Sequence, residues 1–230
     1  LDQVVDCNGQ DCLIAWSSLY GTYGSIISKD GELLNPDGIR IGDPSVPAIS
    51  NDGTDYFVVW SKNGKIYGTR YTNDSTVLDS EGIIISELAD SESVPEITFD
   101  GKNYIVLWKY SEILYGILVN KNGVPDTEFI VSDDNNTVLA PAAWSQGDRK
   151  GLIVYQHFDD RKEFNVSRIA GRFFDNNEDL HDPDEDMVSQ PDNDTLVKTD
   201  DDIDEIDADD ETPDELANPK DTGCGCTLVF

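Results

Sequence analysis

Four short apolar runs, each closing on an aromatic residue, recur at nearly constant spacing, and no other feature restricts the fold of this chain so strongly. Cys-Leu-Ile-Ala-Trp ends at Trp16, Tyr-Phe-Val-Val-Trp at Trp60, Tyr-Ile-Val-Leu-Trp at Trp108 and Gly-Leu-Ile-Val-Tyr at Tyr155, at intervals of 44, 48 and 47 residues. Seven residues beyond each Trp stands a Tyr-Gly pair: Tyr23-Gly24, Tyr67-Gly68 and Tyr115-Gly116. The fourth copy carries Ala170-Gly171 after a longer loop. Ser45-Val-Pro-Ala-Ile49, Ser93-Val-Pro-Glu-Ile97 and Leu139-Ala-Pro-Ala-Ala143 precede the runs, and Gly-Ile-rich segments such as Leu78-Asp-Ser-Glu-Gly-Ile-Ile-Ile85 follow them. A fixed period of this length marks an array of supersecondary units that stack on one another.

Each copy reads as four short antiparallel strands, A to D. In the second copy, strand A lies near 47–50, B at 56–61, C at 65–72 and D at 82–86. Asn63-Gly64 between B and C is the strongest hairpin signal in the chain. A two-residue turn there places Trp60 opposite Tyr67 and Val59 opposite Gly68, an aromatic cross-strand pair that stabilises the hairpin by ~0.2–1 kcal/mol. The glycine is expected to leave room for another sheet to approach. Strand B is apolar at consecutive positions, so both of its faces must be covered.

A four-stranded unit of this size that needs neighbours on both faces fits a β-propeller blade. It is too short for a sandwich of about seven strands, and no sustained helical apolar face appears. The expected fold is therefore all-β: four blades at about 1–43, 44–91, 92–138 and 139–189. The aromatic–glycine core is Trp16, Tyr23, Gly24, Trp60, Tyr67, Gly68, Trp108, Tyr115, Gly116, Tyr155 and Gly171. Propellers carry about four to eight blades; either these four close a ring by packing alone or, the preferred expectation, they form part of a larger ring with further blades N-terminal to them. Leu1 already falls within a repeat and no secretory leader precedes it, so the N-terminus is expected to derive from a longer precursor.

Charge separates a head from a tail. The chain holds 47 acidic and 16 basic residues, a formal net charge of −31. Of the acidic residues, 21 fall within 175–222, opposed there only by Lys198 and Lys220. A field of this sign repels nucleic-acid phosphates and anionic lipid, which argues against nucleic-acid partners. Residues 190–222 combine like charge with scarce aromatics and are expected to form a disordered, extended stalk. The sharper alternative is calcium binding by alternating carboxylates such as Asp182, Asp184 and Asp186. Calcium takes oxygen ligands, but no segment matches a twelve-residue EF-hand loop, so the solvated stalk is preferred. No motif calls for any other cofactor.

Cys7 and Cys12 bracket a turn-rich tetrapeptide between two strand-like segments. They read as a hairpin disulfide, which implies an oxidising compartment, or as two reduced thiols on neighbouring strands. Neither cysteine pair has the companions of a zinc site. Arg70 and Arg172, which follow glycine in strand C, are expected to make polar contacts between blades. Asp52, Asp79 and Asp100 lie in turns, where local hydrogen bonding accounts for them. His157, Asp159, Asp160 and Arg161 cluster in the enlarged B–C loop of the fourth copy, the one candidate ligand loop. An acid–base role for His157 needs a nucleophile or a second converging carboxylate, and no motif supplies either.

The Asp52-Gly53 turn, the run Tyr56 to Trp60, Ile66-Tyr-Gly-Thr-Arg70 and Val77-Leu-Asp-Ser-Glu-Gly82 resemble a family of secreted repeat proteins of myxobacteria and related Gram-negative bacteria. The likeness covers about residues 1–189. In that family the repeat reads Asp-Gly-x-x-Tyr-Leu-Val-Val-Trp, then Ile-Tyr-Gly-x-Arg. Asp221-Thr-Gly-Cys224-Gly-Cys226 resembles the opening of a myxobacterial C-terminal sorting signal. The resemblance implies that 223–230 begins an anchor or processing segment around Cys224 and Cys226, and that any membrane attachment runs through it. It further implies an extracytoplasmic, surface-displayed protein. The function expected is a non-catalytic scaffold for adhesion or for binding a protein or glycan ligand, with a propeller hydrolase acting on glycans, or a calcium-dependent surface protein, as alternatives.

Overall fold

The computed structural model describes residues 2–90, 93–132, 138–159 and 166–175. Among them no helix occurs and every element is a strand. Sheet 1 is β1 (Gln3–Cys7), β2 (Cys12–Ser18), β3 (Gly21–Ile27) and β4 (Ile39–Gly42). Sheet 2 is β5 (Ala48–Asn51), β6 (Tyr56–Lys62), β7 (Lys65–Tyr71) and β8 (Ile83–Ser86). Sheet 3 is β9 (Glu96–Phe99), β10 (Asn103–Tyr110), β11 (Ile113–Asn120) and β12 (Pro125–Ser132). Sheet 4 is β13 (Val138–Ser145), β14 (Lys150–Asp159) and β15 (Val166–Asp175). Each is an antiparallel meander in chain order. The segment expected as the fourth strand of sheet 4, the acidic stalk at 190–222, Asp182, Asp184, Asp186, Cys224 and Cys226 lie outside the described residues.

The hairpin geometry follows from local chemistry. Trp60 pairs with Tyr67 and Val59 with Gly68, and the same register gives Trp16–Tyr23 and Trp108–Tyr115. Asn63 and Gly64 both take positive φ, 51° and 74°, as the primed two-residue turn requires. The three Trp–Tyr pairs stack at 6.0–6.2 Å between ring centroids. In the fourth copy Tyr155 pairs with Ala170 and Val154 with Gly171, so the register survives the change of Trp to Tyr on strand B and of Tyr to Ala on strand C.

The double-sided run of strand B accounts for the packing. Along β6, Tyr56, Val58 and Trp60 face Leu13, Ala15, Ile26 and Ile41 of sheet 1. The alternate residues Phe57 and Val59 join Ile97, Tyr104, Val106 and Trp108 of sheet 3. On β10 the pattern repeats, with Ile105 and Leu107 meeting Ile153, Tyr155 and Phe174 of sheet 4. Each such side chain, fully buried, is worth about 1.5–3 kcal/mol. The first strands of successive sheets also pack together, β1 on β5, β5 on β9 and β9 on β13. Among the described residues no packing of that extent joins β13 back to β1.

One expectation fails in an informative way. The space beside each Tyr-Gly glycine is not held for a neighbouring sheet but is filled mainly by side chains of its own. A Cβ at Gly24 would lie 2.6 Å from Ile41, at Gly68 2.4 Å from Phe57, and at Gly116 2.6 Å from Phe129. The missing side chain lets a large neighbour on strand B or D fold over strand C and complete a flat apolar face.

Candidate functional site

The meander order gives the array two rims. One carries the A–B and C–D turns, and its polar groups are consumed in holding the chain. Asp52 Oδ1 accepts from the Thr54 and Asp55 backbone N–H groups at 2.9 and 3.0 Å. Asp100 Oδ1 does the same for Lys102 and Asn103 at 2.8 and 2.7 Å. Contacts between sheets complete this rim. Asp6 Oδ2 accepts from Asn51 N and Nδ2, both at 2.7 Å. Asn73 Nδ2 donates to Asp11 Oδ2 at 2.9 Å, and Lys121 Nζ lies 3.1 Å from Asp52 Oδ2 and 4.8 Å above the Phe99 ring centroid. Burial raises the Asp52 pKa, but the hydrogen bonds from Asp55, Lys121 and Thr54 outweigh it and leave this carboxyl below its ordinary value.

The arginines divide. Arg172 Nη1 reaches the Val131 carbonyl of sheet 3 at 3.4 Å, a contact between sheets. Arg70 does not cross. Its Nε and Nη2 hold Asp79, nine residues on in the same sheet, at 2.9 and 2.7 Å, and its backbone N–H donates to Asp79 Oδ2. The expected inter-blade contact of Arg70 is therefore corrected: the tight C–D connection presents Asp79, whose carboxylate takes the Arg70 Nε and Nη2 donors. The Arg70 guanidinium, outweighing partial burial, holds Asp79 below the usual carboxylate range.

The opposite rim carries the B–C turns and the links from D to the next A. Here Lys62 pairs with Asp43, Arg40 with Asp43 at 3.1 Å, Lys65 with Glu87 at 2.8 Å and Lys109 with Asp90 at 3.8 Å. Leu19 and Tyr20, at the tip between β2 and β3, are 90% and 81% exposed. Ser18 fixes this tip, its Oγ donating to the Gly21 carbonyl and accepting from Tyr20 N, both at 3.1 Å. The sequence reading missed them, although the other two described B–C tips carry Asn63-Gly64 and Ser111-Glu112 at this place. His157 and Asp159 fall at the end of β14 that reaches this rim, whereas Asp160 and Arg161 lie outside the described residues.

Glu96 is a second group that the sequence reading passed over. It opens strand A of sheet 3, at the register position of Ala48 in sheet 2 and Ala142 in sheet 4. Burial pushes its carboxyl up to about 7, against a smaller opposing pull from the Ala143 backbone N–H of sheet 4. Cys7 and Cys12 are joined, with an S–S distance of 2.07 Å. Among the described residues no group of three or more His, Cys, Asp or Glu is arranged to hold a metal ion. The crevice lined by Ile105, Phe129, Val131, Ile153, Arg172 and Phe174 has about 10 Å³ of water-accessible space, room for one water-sized sphere.

No protein-family model matches the chain, and no curated protein matches it. Among solved structures, an endo-arabinase from Bacteroides thetaiotaomicron VPI-5482 aligns with a TM-score of 0.45 and 13% identity, over 78% of this chain and 76% of that one. A protein provisionally named a 6-phosphogluconolactonase, from Bacteroides uniformis ATCC 8492, aligns with a TM-score of 0.42 and 15% identity, over 74% of this chain and 56% of that one. Likenesses this distant carry no inference about fold or chemistry.

Proposed function

We propose that the four sheets are blades of a β-propeller and that the chain is a non-catalytic scaffold, displayed outside the cytoplasm, that binds a protein or glycan ligand at its B–C rim. The blade reading rests on the stacked first strands β1, β5, β9 and β13 and on sheets that bury both faces of strand B against their neighbours. The Cys7–Cys12 bond favours an oxidising compartment.

The observation that carries the binding reading is the Leu19-Tyr20 tip. An aliphatic and an aromatic side chain stand almost fully in water on a turn pinned by Ser18, at the rim where β14 ends. An exposed aromatic on a backbone-pinned turn offers a large contact area, suited to the apolar face of a sugar or to a protein groove. Protein and glycan arrays, followed by titration of the best hits and a panel of glycoside substrates, test this reading. Binding without turnover is expected, with Tyr20→Ala and Leu19→Ser each weakening it roughly tenfold. Turnover that disappears in His157→Ala would replace the scaffold with a hydrolase.

A further inference from the structure

Several departures from the repeat meet at one place on the B–C rim, and the shared strand register makes them visible. Ser18 pairs with Gly21 where the next two sheets pair Lys62 with Lys65 and Tyr110 with Ile113. The tip between them is Leu19-Tyr20 in sheet 1, against Asn63-Gly64 and Ser111-Glu112. Asn63, Ser111 and Glu112 are exposed too, although sheets 2 and 3 are packed on both sides, so exposure belongs to the tip position itself. Opposite the strand-C tyrosine, strand D carries Arg40 in sheet 1 but Ile84 and Ile130 in sheets 2 and 3. Gly21 makes room for that arginine. A Cβ there would lie 2.9 Å from the Gly42 carbonyl oxygen and 3.0 Å from Arg40 Nε, so the missing side chain lets Arg40 lie against the tip.

Charge departs from the repeat at the same place. Asp43 and Glu87 hold one position, directly after strand D. Among the described residues Glu87 pairs with Lys65, whereas Asp43 is shared by Arg40 of sheet 1 and Lys62 of sheet 2. The two cations stand close enough for Arg40 to oppose the charge on Lys62. Arg40 gives an Nη2 donor to Asp43, and a guanidinium carries several more. Asp2, whose carbonyl accepts from Ser17 N, lies on the other side of the tip, beyond β2. The side of the tip that faces Arg40 is therefore locally cationic, in a chain whose net charge is −31.

We propose that this patch binds a carboxylate-bearing sugar, a uronate unit of an acidic polysaccharide. The inference rests on the rim-binding reading above and names its ligand. A uronate carries an apolar C–H face and a carboxylate on one ring. Tyr20 stacks on that face beside Leu19, and Arg40, backed by Lys62, takes the carboxylate with its planar fork of donors. A turn tip is convex and offers no groove for an extended peptide, whereas a single sugar ring needs only a platform and an anchor. At physiological salt the screening length is about 8 Å, so the groups beside the tip decide the local field and the distant acidic residues do not.

Calorimetric titration of the full chain at physiological salt tests it, with trigalacturonate, trimannuronate, the methyl ester of each and triglutamate as probes. At least one free acid is expected to bind roughly tenfold tighter than its ester, and triglutamate is expected not to bind. Tyr20→Ala should weaken acid and ester alike, by roughly tenfold. Arg40→Gln should weaken the acid by about tenfold and leave the ester unchanged, with the strand signature intact in circular dichroism. Lys62→Gln should act in the same sense but less. An ester bound as tightly as its acid would overturn the acidic ligand and leave rim binding in place. So would a failure of both acids to bind while an array hit is lost in Tyr20→Ala. Triglutamate bound as tightly as the sugar acids would overturn the inference in favour of acidic peptides. Binding of every kind that ignores Tyr20→Ala would remove the rim reading and this ligand together.

Discussion

Glycine in the Tyr-Gly pair shows how one absent methyl group sets a repeat. At Gly68 a Cβ would lie 2.4 and 2.9 Å from two carbons of the Phe57 ring, which is itself fully buried between sheets 2 and 3. Gly68→Ala is therefore expected to displace a packed ring and to cost about 1–3 kcal/mol. The nearest contacts of a Cβ at Gly171 are at 3.5 Å, so Gly171→Ala is expected to stay within ~0.5 kcal/mol of wild type. Urea denaturation of both variants checks the contrast, and equal losses would show that the ring above Gly68 is not what fixes the residue. The recurrence of these glycines was legible in the chain, because a period shows where a residue is required. Its cause was not, since a sequence does not say whether the space will be filled by strand D, by strand B or by another sheet.

Within elements, short-range chemistry explains most of what forms. Asn63-Gly64 selects a turn whose twist matches its strands, and that turn alone fixes the register of β6 on β7. The hairpin of β1 and β2 is made differently. Its cross-strand position Cys7–Cys12 is occupied by Asn51–Tyr56 and Phe99–Tyr104 in the next two sheets, where the tyrosine packs against the preceding sheet. In sheet 1 this position carries a covalent bond in place of a tyrosine. Closing so short a loop is worth ~2 kcal/mol. The Cys7→Ser, Cys12→Ser double variant is expected to lose about that much and to become indifferent to dithiothreitol, while wild type melts lower on reduction. An unchanged melting temperature in both would show that the bond contributes nothing to the fold. The close spacing made this pairing readable in advance, because the two residues share one hairpin. The Arg70–Asp79 pair was not readable, because its geometry depends on how the chain between strands C and D folds back.

At the scale of the molecule, the sheets are joined by apolar faces with a few polar groups trapped among them, and Glu96 is the costly one. Folding raises its carboxyl from an ordinary 4.5 to about 7, chiefly through burial. An acid whose folded value is raised retains its full stability below the unfolded value and loses it as pH climbs through the folded value. Glu96→Gln, which can still accept from Ala143 N, is thus expected to match wild type near pH 4.5. At pH 8 it should be more stable by up to ~3 kcal/mol, because each tenfold difference in proton affinity between the folded and unfolded chain is worth about 1.4 kcal/mol. Thermal melts across that range decide it, and a gain that does not grow with pH would remove burial as the cause. By itself the sequence pointed to an all-strand architecture, the fourfold repeat, the hairpin register and, as one of two readings, the Cys7–Cys12 disulfide. Each depends on residues at most a few tens of positions apart, whose period, turn chemistry and alternation are written along the chain. Only the tertiary structure decided which carboxylate is buried, which arginine crosses between sheets and which hairpin tip stands in water. Those depend on what lies across a gap from each side chain, and a neighbour in space is set by the packing of whole sheets.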